Sequence, residues 1–124
     1  MNEANTKHLH ENYPNLYGVH GRHRTYFECE DGWFPIIDKL SAKLEPMIIA
    51  YNLLYPENDC CFYASQVKEK YGALRFYMSC ATEEMFKEIE QSELESEKTC
   101  EVCGKEGKLN SGPWYQTLCN EHMK

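Results

Sequence analysis

The sequence predicts an α+β fold: a kinked helix, a β-hairpin, an acidic helix, then a C-terminal zinc ribbon or knuckle module. Three observations predict it. Apolar residues recur at helical spacing between Trp33 and Ile48. Two aromatic-rich runs that roughly alternate lie between Cys61 and Cys80. Two metal-ligand pairs close the chain, Cys100-Glu-Val-Cys103 and Cys119-Asn-Glu-His122, with fifteen residues between them. The expected divisions are an irregular N-terminal segment at 1–28, an α+β core at 29–97 and a zinc ribbon-like module at 98–124.

Pro14, Gly18 and Gly21 punctuate the first segment, and Thr25–Cys29 reads as a short strand. Asp31 is the expected cap of the first long helix. Trp33, Ile36, Ile37, Leu40, Leu44, Met47 and Ile48 form its apolar face. Pro35 fits the first turn, whereas Pro46 should kink the helix or split it after Leu44. Pro56-Glu-Asn-Asp59 ends the apolar run.

Cys61–Val67 and Leu74–Cys80 are the expected strands. Leu74, Phe76, Met78 and Cys80 share one face; Arg75, Tyr77 and Ser79 share the other. Gly72 lies in the connection, Lys68–Ala73. Thr82 should cap the second helix, with Glu83 and Glu84 favouring its dipole. Met85, Phe86 and Ile89 give it a narrow apolar edge. Both helices are expected on one face of a small antiparallel sheet.

Zinc(II) takes four nitrogen or sulfur ligands in a tetrahedron, and two close pairs supply two of its edges. Cys100, Cys103, Cys119 and His122 are the ligand set for one structural Zn(II). Four protein ligands leave no position for a catalytic water. Gly104 sits where a knuckle turn needs positive φ. Lys105 and Lys108 are close enough in sequence to soften the thiolate charge. Asn110-Ser111-Gly112-Pro113 is the turn signal between two short strands, to which Trp114, Tyr115 and Leu118 add apolar surface. So little apolar content predicts that the metal supplies most of the module's order.

With 124 residues, nine Tyr, five Phe and two Trp, the chain can build one packed core. Its polar start reads as no signal peptide, and no run approaches a membrane span. Cys29, Cys60, Cys61 and Cys80 then read as reduced thiols in a cytoplasmic protein. The formal net charge is −7, and residues 83–97 hold seven Glu against Lys87 alone. Duplex-binding proteins generally carry the opposite sign. Glu83, Glu84, Glu88, Glu90, Glu93, Glu95 and Glu97 form a stripe that suits a basic protein surface, or serves solubility alone.

Three blocks stand in order: Phe27-Glu-Cys-Glu-Asp-Gly-Trp-Phe34, Gln66-Val-Lys-Glu-Lys-Tyr-Gly-Ala-Leu-Arg-Phe-Tyr77, and Cys100-Glu-Val-Cys-Gly104 with Thr117-Leu-Cys-Asn-Glu-His122. Across roughly residues 25–122 this order resembles a group of small, functionally uncharacterised phage and prophage proteins. The resemblance implies a mobile-element origin and a host-cytoplasm setting, and carries no activity with it. The function expected is that of a zinc-stabilised, non-enzymatic protein that docks on a host protein. Its sharpest version is inhibition of a nucleic-acid-targeting defence system.

The alternative is a nucleic-acid-binding zinc protein using Lys68, Lys70, Arg75, Lys105 and Lys108, with Tyr63, Tyr71 and Tyr77 as stacking partners. Those tyrosines also read as ordinary strand residues. A metal-dependent nuclease or hydrolase is a third reading. His20 and His23 with Cys29, joined by His8 and His10, are a weak second metal set. Cys29 with His20 or His23 is the one local nucleophile–base pairing. Arg22 and Arg24 read as a solvated loop, and the Tyr and Phe content allows a homodimer.

Overall fold

The structure, a computed structural model, describes residues 1–18, 24–57 and 62–123. It is α+β, with three helices and two small sheets. The order is α1 (Glu3–Asn12), β1 (Phe27–Glu28), a 3₁₀ turn (Asp31–Trp33), α2 (Phe34–Leu54), β2 (Ala64–Lys70), β3 (Ala73–Met78), α3 (Glu83–Ser96), β4 (Lys108–Ser111) and β5 (Tyr115–Leu118).

Within the first segment, Glu3–Asn12 form a helix that the sequence did not announce. Asn2 caps α1 by accepting from the backbone N–H of Asn5 at 2.8 Å. Asp31 completes that end, accepting from Asn2 N at 2.9 Å and Asn5 Nδ2 at 3.0 Å. These bonds from Asn2 and Asn5 hold the Asp31 carboxyl below the usual carboxylate range. Asp31 therefore secures α1 and is not the cap of α2. The residue before the 3₁₀ turn, Glu30, makes no side-chain cap bond either.

Helix α2 runs through Pro46 as one element and is not split after Leu44. A mid-helix proline forfeits a backbone bond at a cost of about 3 kcal/mol. Leu44 and Ile48, fully buried on either side, offset that cost. Glu45 adds a tether: its carboxylate accepts from Asn15 N at 2.7 Å and Leu16 N at 3.3 Å.

The larger sheet has the order β1-β2-β3 and is mixed, not purely antiparallel. β1 runs parallel to β2, placing Phe27 beside Val67 and Glu28 beside Lys68. β2 and β3 are antiparallel, with a register irregularity between Ala64 and Gln66. β2 extends to Lys70, so the hairpin turn is only Tyr71-Gly72. Their φ values of 53° and 83° are those of a type I′ turn.

Val67, Leu74 and Phe76 join Trp33, Leu40 and Ile48 of the core, together with Leu9, Leu16 and Tyr17 from the N-terminal segment. α3 packs against β3 and α2. It also covers the outer edge of β3, where Ser96 Oγ accepts from Leu74 N at 2.9 Å and Glu93 Oε2 from Phe76 N at 2.9 Å. An edge strand so capped cannot recruit a further strand. Among the described residues no helix is long and apolar enough to cross a membrane.

Trp33 is fully buried and Trp114 is 80% exposed. Trp33→Ala is therefore expected to lower the unfolding free energy by about 3–5 kcal/mol in urea titrations. Trp114→Ala is expected to change it by less than about 0.5 kcal/mol.

Candidate metal centre

Two turns present the four predicted ligands. The first follows α3: Cys100 N donates to Lys105 O at 2.7 Å, and Gly104 N to Cys100 O at 2.9 Å. Gly104 has φ 83°, the conformation its position in the sequence called for. The second turn follows β5, where His122 N donates to Cys119 O at 3.1 Å. Between them β4 and β5 form an antiparallel hairpin with Ser111 opposite Tyr115. Its turn is Gly112-Pro113-Trp114, so Asn110 and Ser111 belong to the strand rather than to the turn.

The ligand atoms of Cys100, Cys103, Cys119 and His122 all lie within 4.8 Å of one another. Cys103 Sγ and Cys119 Sγ are 3.6 Å apart, and Cys100 Sγ is 3.7 Å from His122 Nδ1. Cys119 Sγ is 3.1 Å from the same nitrogen. A sulfur–sulfur distance of 3.6 Å is far beyond the ~2 Å of a disulfide. Three sulfurs and one imidazole at these spacings can hold one metal ion.

Metal binding requires deprotonated thiols. Burial pushes the Cys100 thiol up, but hydrogen bonds from the backbone at Cys119, Cys103 and Val102 prevail and bring it to about 6. Burial also opposes ionisation of Cys119, and hydrogen bonds from His122 outweigh it. His122 is raised by its bonds to the sulfurs of Cys119 and Cys100. Cys103 runs the other way: a backbone bond from Lys105 lowers its thiol, but burial and the neighbouring sulfurs of Cys119 and Cys100 outweigh that and raise it. Cys100 and Cys119 thus favour the thiolate, and Cys103 does not. Lys105 Nζ pairs with Glu121 at 3.5 Å.

The first turn is bonded tightly to the core, which the sequence did not reveal. Gly32 N donates to Glu101 O at 2.7 Å, and Trp33 Nε1 to Thr99 O at 2.9 Å. A Cβ on Gly32 would lie 2.3 Å from the carbonyl oxygens of both Cys100 and Glu101. Only glycine admits this approach. The buried Glu101 adds a bond from Glu30 N to its Oε2 at 3.1 Å, while its Oε1 has no partner. Burial, opposed by that bond, pushes its carboxyl up to about 7. On the other side Thr117 Oγ1 donates to Gly72 O at 2.6 Å.

The other candidates are placed differently. His20, His23 and Arg22, with Cys60 and Cys61, lie outside the described residues, and Arg24 is exposed. His8 bonds Asp38 at 3.1 Å and His10 bonds Thr25 O, so neither converges on Cys29. Cys29 is buried, and burial, then the Glu101 charge, push its thiol up to about 12. A protonated, enclosed thiol is a poor nucleophile.

Of the acidic stripe, Glu93 holds Phe76 N and Glu88 pairs with Lys43 at 3.0 Å. Glu83, Glu84, Glu90, Glu95 and Glu97 are exposed. Lys68 and Arg75 are half-buried and directly paired across β2 and β3. Tyr71 and Tyr77 are exposed, Tyr63 is half-buried, and Lys108 is exposed on β4.

No protein-family model, curated protein or solved structure matches this chain. The class is therefore defined by the molecule itself: a small α+β domain with a Cys₃His cluster, at the two turns flanking its C-terminal hairpin, that could hold a metal ion.

Gly32→Ala is expected to destabilise the fold by about 1–3 kcal/mol through overpacking against the Cys100–Glu101 backbone. Thermal unfolding followed by circular dichroism checks it.

Proposed function

We propose that the metal is a single structural zinc ion, and that the domain it stabilises is a non-catalytic docking module for a basic host protein. For zinc–sulfur bonds of about 2.3 Å and zinc–nitrogen bonds of about 2.0 Å, the edges of a tetrahedron are roughly 3.5–3.8 Å. The separations of 3.6 and 3.7 Å fall in that range, the 3.1 Å between Cys119 Sγ and His122 Nδ1 is shorter, and the whole set spans up to 4.8 Å. Four protein ligands would leave no open position, which supports a scaffolding role. The tertiary contacts then extend its effect from the ribbon-like hairpin into the core.

The observation that carries the docking reading is the outward stripe of α3. Glu83, Phe86, Glu90, Leu94 and Glu97 follow one another at helical spacing. Phe86 is 56% exposed and Leu94 is 54% exposed. Two large apolar side chains framed by three carboxylates form a patch that suits a partner with apolar contacts and a Lys/Arg rim. Long-range attraction would speed the encounter and make it sensitive to salt.

The resemblance to phage and prophage proteins supports a host partner. In its sharpest form that partner is a defence protein whose basic groove takes nucleic acid, and occupation of the groove inhibits it.

Two outcomes are expected. Elemental analysis of purified protein should give one zinc per chain. Cys103→Ser should abolish that stoichiometry and disorder residues 99–123 in NMR spectra, since structural zinc contributes about 10 kcal/mol. For docking, immobilised protein should capture the same host protein from lysate repeatedly at low salt. A variant with Glu83→Lys, Glu90→Lys and Glu97→Lys should lose it. Capture that survives both charge reversal and high salt would contradict the α3 interface.

A further inference from the structure

The face of the larger sheet turned away from the core has no layer over it in the described residues. Strand alternation brings Gln66, Lys68 and Lys70 of β2 onto that face, beside Arg75 and Tyr77 of β3. Lys68 and Arg75 are direct cross-strand partners. Like charges in that relation disfavour the sheet. Neither they nor Lys70 forms an ion pair among the described residues. Glu28 beside Lys68 is the one carboxylate that strand pairing brings to this group.

An aromatic cleft lies at the turn end of the same strands, where Glu69 in its wall is on the opposite face from Lys68 and Lys70. It lies between the β2–β3 turn and the tip of the β4–β5 hairpin, encloses about 610 Å³, and is lined by Glu69, Tyr71, Pro113, Trp114, Tyr115 and Gln116. Tyr71, in the turn, lines the cleft and is the ring through which the cations reach it. Lys70 Nζ stands 5.8 Å from its ring centroid, and the Tyr115 ring is edge-on to it at 6.3 Å. Tyr71 holds φ 53°, a left-handed conformation that costs a residue with a side chain about 1 kcal/mol. The ring it presents is 71% exposed.

From this arrangement we propose that the open sheet face and the aromatic cleft form one binding surface for single-stranded nucleic acid. Lys68, Lys70 and Arg75 take the phosphates. Tyr71, Trp114 and Tyr115 take unstacked bases on their rings. Glu69 and Gln116 sit at the cleft wall; Glu69 Oε2 already accepts from Gly72 N at 2.7 Å, so the Gln116 amide oxygen and Glu69 Oε1 are the acceptors for base amino groups. A duplex buries the faces of its bases and cannot use the rings. The net charge of −7 does not oppose this, because it is concentrated at residues 83–97 on α3. The surface shares no residue with the α3 docking stripe, so either reading can fail without the other.

Trp114 supplies the test, since the other tryptophan, Trp33, is fully buried. The metal-loaded protein is titrated with a single-stranded oligodeoxynucleotide of about 12 nucleotides. The comparison probes are the same sequence as a duplex and an arginine-rich peptide. Expected are quenching of Trp114 by the single strand, weak or absent binding of the duplex, and about 20-fold weaker binding on raising salt from about 50 to about 200 mM, as three phosphate contacts require. By anisotropy of a labelled strand, Lys68→Glu with Arg75→Glu is expected to weaken binding at least about tenfold, and Trp114→Ala about tenfold. Circular dichroism and metal content verify the fold of each variant. Lys70→Glu, at an exposed position, serves if the double variant does not fold. Absence of quenching, equal affinity for duplex, indifference to the charge reversals, or preference for the peptide would each overturn the proposal.

Discussion

The contact between the Asp31–Trp33 turn and the Cys100 turn is the constraint on which the rest of the structure depends. Two backbone segments distant in sequence meet there, with Gly32 N on Glu101 O at 2.7 Å and no room for a side chain on Gly32. The indole of Trp33 fills the core and also donates to Thr99 O. One three-residue turn thus starts α2, closes the core and seats the Cys/His cluster. Asp31, its first residue, anchors the start of α1 as well. The C-terminal hairpin and its Cys/His cluster are consequently part of the same fold as the helices, although few of their own side chains are buried.

This architecture also separates chemical character by surface. α3 packs against β3 and carries nearly all the excess negative charge outward. Two of its carboxylates are committed to structure, one on the edge of β3 and one on Lys43. Glu83, Glu90 and Glu97 frame exposed Phe86 and Leu94. The far face of the sheet instead carries Lys68, Lys70 and Arg75, next to a cleft walled by exposed aromatic rings. A neutral reading of the net charge would miss this division. The short-range behaviour of each surface follows its own residues and not the sum.

Much of this was legible in the sequence. The four ligands could be read because two-residue gaps place donors on one side of a turn irrespective of distant structure. α2 could be read from its apolar stripe and α3 from Thr82, whose hydroxyl accepts from Met85 N at 3.2 Å. What escaped depended on distant partners. α1 buries only Leu9 and His10, leaving no apolar period to detect, and is held by polar bonds to residues about 30 positions away. β2 lies three residues beyond its expected span because Lys68, Glu69 and Lys70, poor strand formers by composition, are held by pairing with β3. Glu101 gave no sign of burial, since an acidic residue is ordinarily solvated and its enclosure is created by the docked turn.

The central claim is that metal binding and the Gly32–Glu101 contact form one cooperative unit. Hydrogen exchange at the backbone amides of Gly32 and Glu101 and at the Trp33 indole, with metal bound and after chelation, tests it most directly. The account predicts that all three lose protection together with the amides of β4 and β5 when the metal is removed. Retained protection at Gly32 and Trp33 in the metal-free protein, with exchange confined to the C-terminal hairpin, would contradict it.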